Sequence, residues 1–110
     1  MCNLLALRTP IEVNKVLYLE ADRNYTTVVF TNGRQLVLSK TIAHLFAGMP
    51  ETLFVRISKT HVVNVGYVHL MCLKRQQRYI RLSTGQTFEV SRRRATELRK
   101  NQKVNLNKNR

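Results

Sequence analysis

Ser91-Arg92-Arg93-Arg94 sets three guanidinium groups side by side after a hydroxyl. Serine is a preferred helix cap, so Ser91 predicts a final helix running through Lys100, with the three arginines in its first turn. A helix N-terminus already carries about half a positive charge, and each cation there is disfavoured by about 0.3–1 kcal/mol. Glu89 and Glu97 are the only carboxylates near in sequence. A solvated charge run is the ordinary account of three basic residues, but it does not explain the wrong sign at the wrong end. A phosphate does. The free N–H groups of a helix N-terminus form an anion site, and an arginine there can reach a guanine edge with two hydrogen bonds.

Three further places carry donors at useful spacing. Ser58-Lys59-Thr60 interrupts two hydrophobic runs with two small hydroxyls and one cation, which suits phosphate oxygens or a groove edge. A plain polar bulge in a strand fits the same pattern equally well. Lys74-Arg75-Gln76-Gln77 is a turn of long donors, suited to backbone contact or simply to solubility. Asp22-Arg23-Asn24-Tyr25 joins a cation, an amide and an aromatic ring; it becomes a base reader only if it shares an edge with the other basic turns.

Catalytic chemistry finds less support. Glu20 and Asp22 lie two apart at a strand end and can share a face, but a carboxylate pair for acid–base work needs one desolvated member. His44, His61 and His69 have no positioned acid or nucleophile, and no Gly-x-Ser-x-Gly or glycine-rich phosphate loop occurs. His61, beside Val62-Val63, reads as a half-buried sheet residue. Metal-ligand spacing such as Cys-x-x-Cys is absent, so neither a metal nor another cofactor is expected. Cys2 and Cys72 permit a disulfide on counting alone. Two reduced thiols are the plainer reading, with Cys72 inert in an apolar setting between Met71 and Leu73.

These groups need a scaffold, and the chain has material for one. Its 110 residues fit one domain, and 44% hydrophobic content is that of a folding sequence. Nineteen Lys/Arg face six Asp/Glu, a net charge of +13. The excess is concentrated: residues 1–50 carry a net +2 and residues 51–110 a net +11. Such a surface repels itself and calls for an anionic partner. No apolar run approaches the roughly 20 residues of a membrane-crossing helix, and Met1-Cys2-Asn3 with Leu4-Leu5-Ala6-Leu7 is too short for a signal peptide. A cytoplasmic location is expected.

Short strands dominate the pattern. Residues 16–20 and 25–30 are β-prone around the polar connection 21–24, and Asn32-Gly33 predicts a type I′ turn into residues 34–38. Ser39 or Thr41 caps a two-turn helix bearing Ile42, Leu45 and Phe46 on one face, closed by Gly48 and Pro50. Strands resume over residues 53–57, 61–65 and 67–73, then 78–82 and 87–90 around Ser83-Thr84-Gly85-Gln86. About eight to ten short strands with one or two short helices make a mainly β fold. Residues 101–110, rich in Asn and Lys, are expected to form a disordered basic tail after a domain spanning residues 1–100.

The order of these pieces is familiar. Val16-Leu17-Tyr18-Leu19-Glu20-Ala21, Asn24-Tyr25, Phe54-x-Arg56-Ile57-Ser58-Lys59-Thr60-His61-Val62-Val63-Asn64, Leu82-Ser83-Thr84-Gly85 and Val90-Ser91-Arg92-Arg93 together resemble the LytTR DNA-binding domain of bacterial response regulators, over roughly residues 10–100. The resemblance implies an elongated arrangement of small antiparallel sheets with one or two short helices. It implies promoter binding, with loops entering successive major grooves, usually by a domain fused to a phosphorylatable receiver. Paired direct repeats read by two copies are also implied. Carried over by motif, Asn24 with Tyr25 enters one groove, Ser58, Lys59 and Thr60 form the polar loop, and Arg93 reads a base beside Ser91 and Arg92. Arg75 and Gln76 touch the backbone, as do Arg23 and Arg94 beside the readers. The family commonly has His at the position of Ser58 and Ser at that of Thr60, so which base pair, if any, Lys59 selects stays open. No receiver fits in this chain.

A β-rich RNA-binding module shares the charge and the strands, but should show aromatic rings for stacking. A hydrolase using His61 or His69, or a surface for acidic proteins or anionic lipid, also remains open on sequence alone.

Overall fold

A computed structural model of the chain describes residues 12–100. Cys2, the segment around it and the expected tail 101–110 lie outside the described residues. The chain divides into two compact units after Gly66.

The first unit opens with a 3-10 turn, Val13–Lys15, and continues through β1 (Val16–Asp22), β2 (Tyr25–Phe30), β3 (Gln35–Leu38), α1 (Ile42–Ala47), β4 (Phe54–Arg56) and β5 (His61–Asn64). Its strands make one antiparallel sheet in the order β3-β2-β1-β5-β4. Alternation puts Leu19, Val28, Phe54 and Val62 into a core with Val13 and Val16, and α1 adds Ile42 and Leu45. The helix starts where expected: Thr41 accepts a hydrogen bond from the His44 N–H at 3.2 Å, and Gly48 ends it. A register shift between Val16 and Tyr18 lets the consecutive residues Val16 and Leu17 both be buried.

Two buried polar residues tie the sheet. Thr26 Oγ1 donates to the Lys40 carbonyl at 2.7 Å. Asn64 Nδ2 donates to the Val16 carbonyl at 2.7 Å, and Asn64 Oδ1 accepts from the Gly66 N–H at 2.8 Å. Both ends of the Asn64 amide are therefore used, as burial of a polar group demands.

The second unit follows a 3-10 turn, Val65–Tyr67. It contains β6 (Val68–Lys74), β7 (Gln77–Leu82), β8 (Thr87–Glu89) and α2 (Arg92–Lys100). The sheet is antiparallel in the order β6-β7-β8. Its core is thin: Met71, Ile80, Leu82, Val90 and Ala95. Ser91 caps α2 as expected, accepting from the Arg94 N–H at 3.3 Å.

The mainly β architecture expected from sequence is present, with eight strands in two sheets among the described residues. Several details differ. The connection between β1 and β2 is shorter than residues 21–24. Asp22 pairs with Tyr25, leaving only Arg23 and Asn24 in the turn, and Arg23 has φ 60°. Asn32-Gly33 does not make a type I′ turn, because only Gly33 has positive φ, at 90°. Phe30 and Arg34 bond across a three-residue connection, with the Gly33 N–H on the Phe30 carbonyl. Leu82 and Gln86 repeat that turn around Gly85, φ 101°. Thr31 can thus keep its N–H for the Lys15 carbonyl, 2.9 Å away, which a two-residue turn would not allow.

Candidate nucleic-acid interface

In the first unit, pairing brings together residues far apart in sequence. β1 runs antiparallel to β5, with Glu20 opposite His61. The Ala21 N–H also donates to the Thr60 carbonyl at 2.8 Å. The Arg23-Asn24 tip and the loop Ser58-Lys59-Thr60 therefore lie at the same end of the sheet. The Thr26–Lys40 hydrogen bond brings Lys40 to that end too. Lys40 was not singled out from sequence, because only the β2–β3 pairing places it there.

The tip is tight. A two-residue hairpin connection with positive φ at its first position follows the twist of the strands. Glycine is the residue expected there; a side chain in the left-handed region costs roughly 1–2 kcal/mol. Here the position holds Arg23, whose side chain, with that of Asn24, is exposed. Tyr25 opens β2 with 54% of its surface exposed.

The second loop is shaped by its own hydroxyls. Ser58 Oγ accepts from the N–H groups of Thr60 (3.2 Å) and His61 (3.1 Å). Thr60 Oγ1 lies 3.3 Å from Ser58 Oγ and 2.9 Å from His61 Nδ1. Arg56 donates from Nε to the Ser58 carbonyl and from Nη2 to the Lys59 carbonyl, at 3.1 and 3.0 Å. The loop is thus a braced turn that presents the exposed Lys59. Arg56, which sequence reasoning left inside a strand, is one of its braces. Burial holds the His61 imidazole below its usual pKa, opposed in part by Glu20, whose carboxylate is 4.0 Å from Nε2. Glu20 and Asp22 are exposed, as a solvated strand end implies.

The second unit is organised around arginine. Arg75 and Gln76 form the two-residue connection between β6 and β7, and both are exposed. Arg78 ties that tip to the start of α2: Nη1 donates to the Arg75 carbonyl at 2.7 Å and Nε to the Val90 carbonyl at 2.9 Å. Glu89 lies 3.6 Å from Arg78 Nη2. Crowding in the first turn of α2 is partly relieved by Glu97, which lies 3.2 Å from Arg94 Nη1 and 4.0 Å from Arg93 Nε. The outcome is asymmetric. The Arg94 side chain is 28% exposed, and that of Arg93 is 82% exposed. Arg75, Gln76 and Arg92 border one cleft. Cys72 is half-buried, but its setting is less apolar than Met71 and Leu73 suggest, since Sγ donates to the Gln77 carbonyl at 3.3 Å.

The structure therefore gathers the predicted groups into two sets, one in each unit. Both sets present cations and amides at turns, braced by backbone hydrogen bonds. Among the described residues no helix is long and apolar enough to cross a membrane.

Comparison with known proteins agrees with this chemistry. No curated protein matches the chain. A solved structure from Bacillus cereus, described as the LytTr DNA-binding domain of a methyl-accepting/DNA response regulator, superposes with a TM-score of 0.74. The two share 22% identity, and the match covers 84% of each chain, a likeness of fold. The family model of the LytTr DNA-binding domain matches residues 8–103, nearly the whole sequence. The braced basic turns of both units thus sit on a chain that belongs to the LytTr DNA-binding domain family.

Proposed function

We propose that this chain binds double-stranded DNA sequence-specifically, as the output domain of a cytoplasmic transcriptional regulator and without enzymatic activity. Asn24, Tyr25, Lys59 and Arg93 face bases in major grooves. Arg23, Ser58, Thr60, Arg75, Gln76, Ser91, Arg92 and Arg94 face the backbone. Ser58 and Thr60 act chiefly by holding Lys59 in place, because their hydroxyls are engaged within the loop. Paired direct repeats, two copies on one site, and a receiver domain outside these residues complete the reading.

One observation carries it. In each unit, candidates separated by more than ten residues in sequence converge at one end of a sheet or around one cleft. Chance scatter of solubilising charge gives no reason for that. A stacking platform for single-stranded RNA is less well supported, since among the eight Phe and Tyr side chains only Tyr25 is exposed.

Selection of bound fragments from random duplex DNA is the test. The expected product is a shared sequence, repeated at about one helical turn or a multiple of it. Binding to that duplex should fall with salt along a log–log slope near −4 to −5, as for about five neutralised phosphates. Recovery of unrelated fragments, or stronger competition by single-stranded RNA than by the selected duplex, overturns the proposal.

A further inference from the structure

Beside the β6–β7 tip lies a shallow cleft of about 430 Å³, lined by Arg75, Gln76, Arg78, Arg92, Thr96 and Arg99. Three elements build it. Arg75 and Gln76 come from the tip and Arg78 from β7, while Arg92, Thr96 and Arg99 fall at helical spacing on one face of α2. Four guanidinium groups line this space. The lining holds no carboxylate, and the one acid near it, Glu89, lies 3.6 Å from Arg78 Nη2 and leaves the other three uncompensated by it. Like charges this close repel, more strongly where water is partly excluded. Two of the four are held in place by backbone. Arg78 bonds the carbonyls of Arg75 and Val90, and Arg99 Nε donates to the Leu73 carbonyl at 2.8 Å. The Arg75 and Arg92 side chains make no hydrogen bond or ion pair among the described residues, although Glu97 pairs with their neighbours Arg93 and Arg94. Held guanidinium forks beside free ones form a site for a phosphate-sized oxyanion, since arginine matches that geometry with paired N–H donors.

We propose that this cleft seats a phosphate group, and that in the duplex complex it takes one backbone phosphodiester, with Arg99 as a binding residue and Arg78 as the residue that positions Arg75. The proposal rests on the duplex-binding function above and adds a specific seat to it. Nothing in the sequence marks Arg99, since a cation in the last turn of a helix needs no ligand to explain it.

The experiment uses the full chain and the selected duplex, with variants checked for an unchanged melting curve. Arg99→Gln should reduce the steepness of the salt slope by about one. Its deficit against wild type should then shrink about three- to fourfold between 50 and 200 mM salt. The loss should be equal on selected and scrambled duplexes. Arg99→Lys, which keeps the charge, should retain the slope. A duplex series carrying one neutral methylphosphonate at a time should show a position that weakens wild type but not Arg99→Gln. Wild-type affinity and slope in Arg99→Gln, or an unaltered methylphosphonate profile, overturns the seat for DNA. Inorganic phosphate titrated at constant ionic strength separates the sources. Shifts of the Arg78 and Arg99 Nε–H resonances with no methylphosphonate effect would make the cleft a free-phosphate site and refute its role on the duplex. Were duplex binding itself absent, the proposed function would fail, and the phosphate titration alone would decide the cleft: shifts keep it as an anion site, and silence removes it.

Discussion

The two units present cations in opposite ways. The first holds seven Lys/Arg and four Asp/Glu, and the second twelve and two. In the first, position comes from backbone: a two-residue tip with Arg23 at positive φ, and a loop laced by Ser58 and Thr60. It stands on a five-stranded sheet with a helix packed on its core. In the second, a three-stranded sheet with a thin core carries arginines that brace one another's surroundings. Precision in the first unit is thus built from strain and hydrogen bonds. In the second it is built from charge, which a polyanion must complete. Base selection should be sensitive to shape in the first unit, and salt dependence should be dominated by the second.

Four measurements sharpen or break this contrast, beginning with the largest effect. Asn64→Ala removes the donor to the Val16 carbonyl and the acceptor for the Gly66 N–H at a buried position, and should lower stability by about 3 kcal/mol in urea unfolding. A shift under about 0.5 kcal/mol would show that the first unit does not depend on its buried amide. Arg93→Ala should cost roughly 1–3 kcal/mol on the selected duplex and relax preference at one base pair. Arg75→Ala should weaken all sequences alike, and an equal loss on selected and scrambled DNA for Arg93→Ala would remove it from the base readers. Arg23→Gly should raise stability by about 1 kcal/mol by relieving the left-handed strain, yet weaken duplex binding. Unchanged affinity in Arg23→Gly would make the strain incidental to function.

The smallest effect is on pH. The folded state holds His61 below its unfolded value of 6.5, chiefly through burial. The unfolded chain therefore takes up a proton first as pH falls, and stability declines as pH drops below about 6.5 toward the folded value. Urea midpoints between pH 8 and 5 should fall in wild type and flatten in His61→Gln. An equal decline in both would assign the dependence to other groups.

Much of this was legible in the sequence. Alternation in Arg78–Leu82, the small cap residues Thr41 and Ser91, and the glycines Gly33 and Gly85 each reflect a local requirement of strand, helix or turn. The family resemblance named the right fold because it rested on several motifs in order. What stayed hidden was long-range or unsignalled. Lys40 reaches the Arg23 end only through strand pairing, and Arg99 reaches the cleft only through its hold on Leu73. Positive φ at Arg23 had no local mark, since Asn24 beside it is the residue type that more readily adopts it. Glu97 partly relieves the arginine run because residues three and four apart on a helix are neighbours, which sets its carboxylate against Arg94 and Arg93.

The Arg23-Asn24 connection has one more consequence. Asp22 pairs directly with Tyr25, so an inserted residue could be absorbed only by bulging the hairpin or by slipping its partners. A slip of one place would turn Thr26 and Val28 outward and Thr27 inward. The two residues at that tip can therefore be exchanged without disturbing the sheet, whereas a third would either kink the hairpin or turn its faces over.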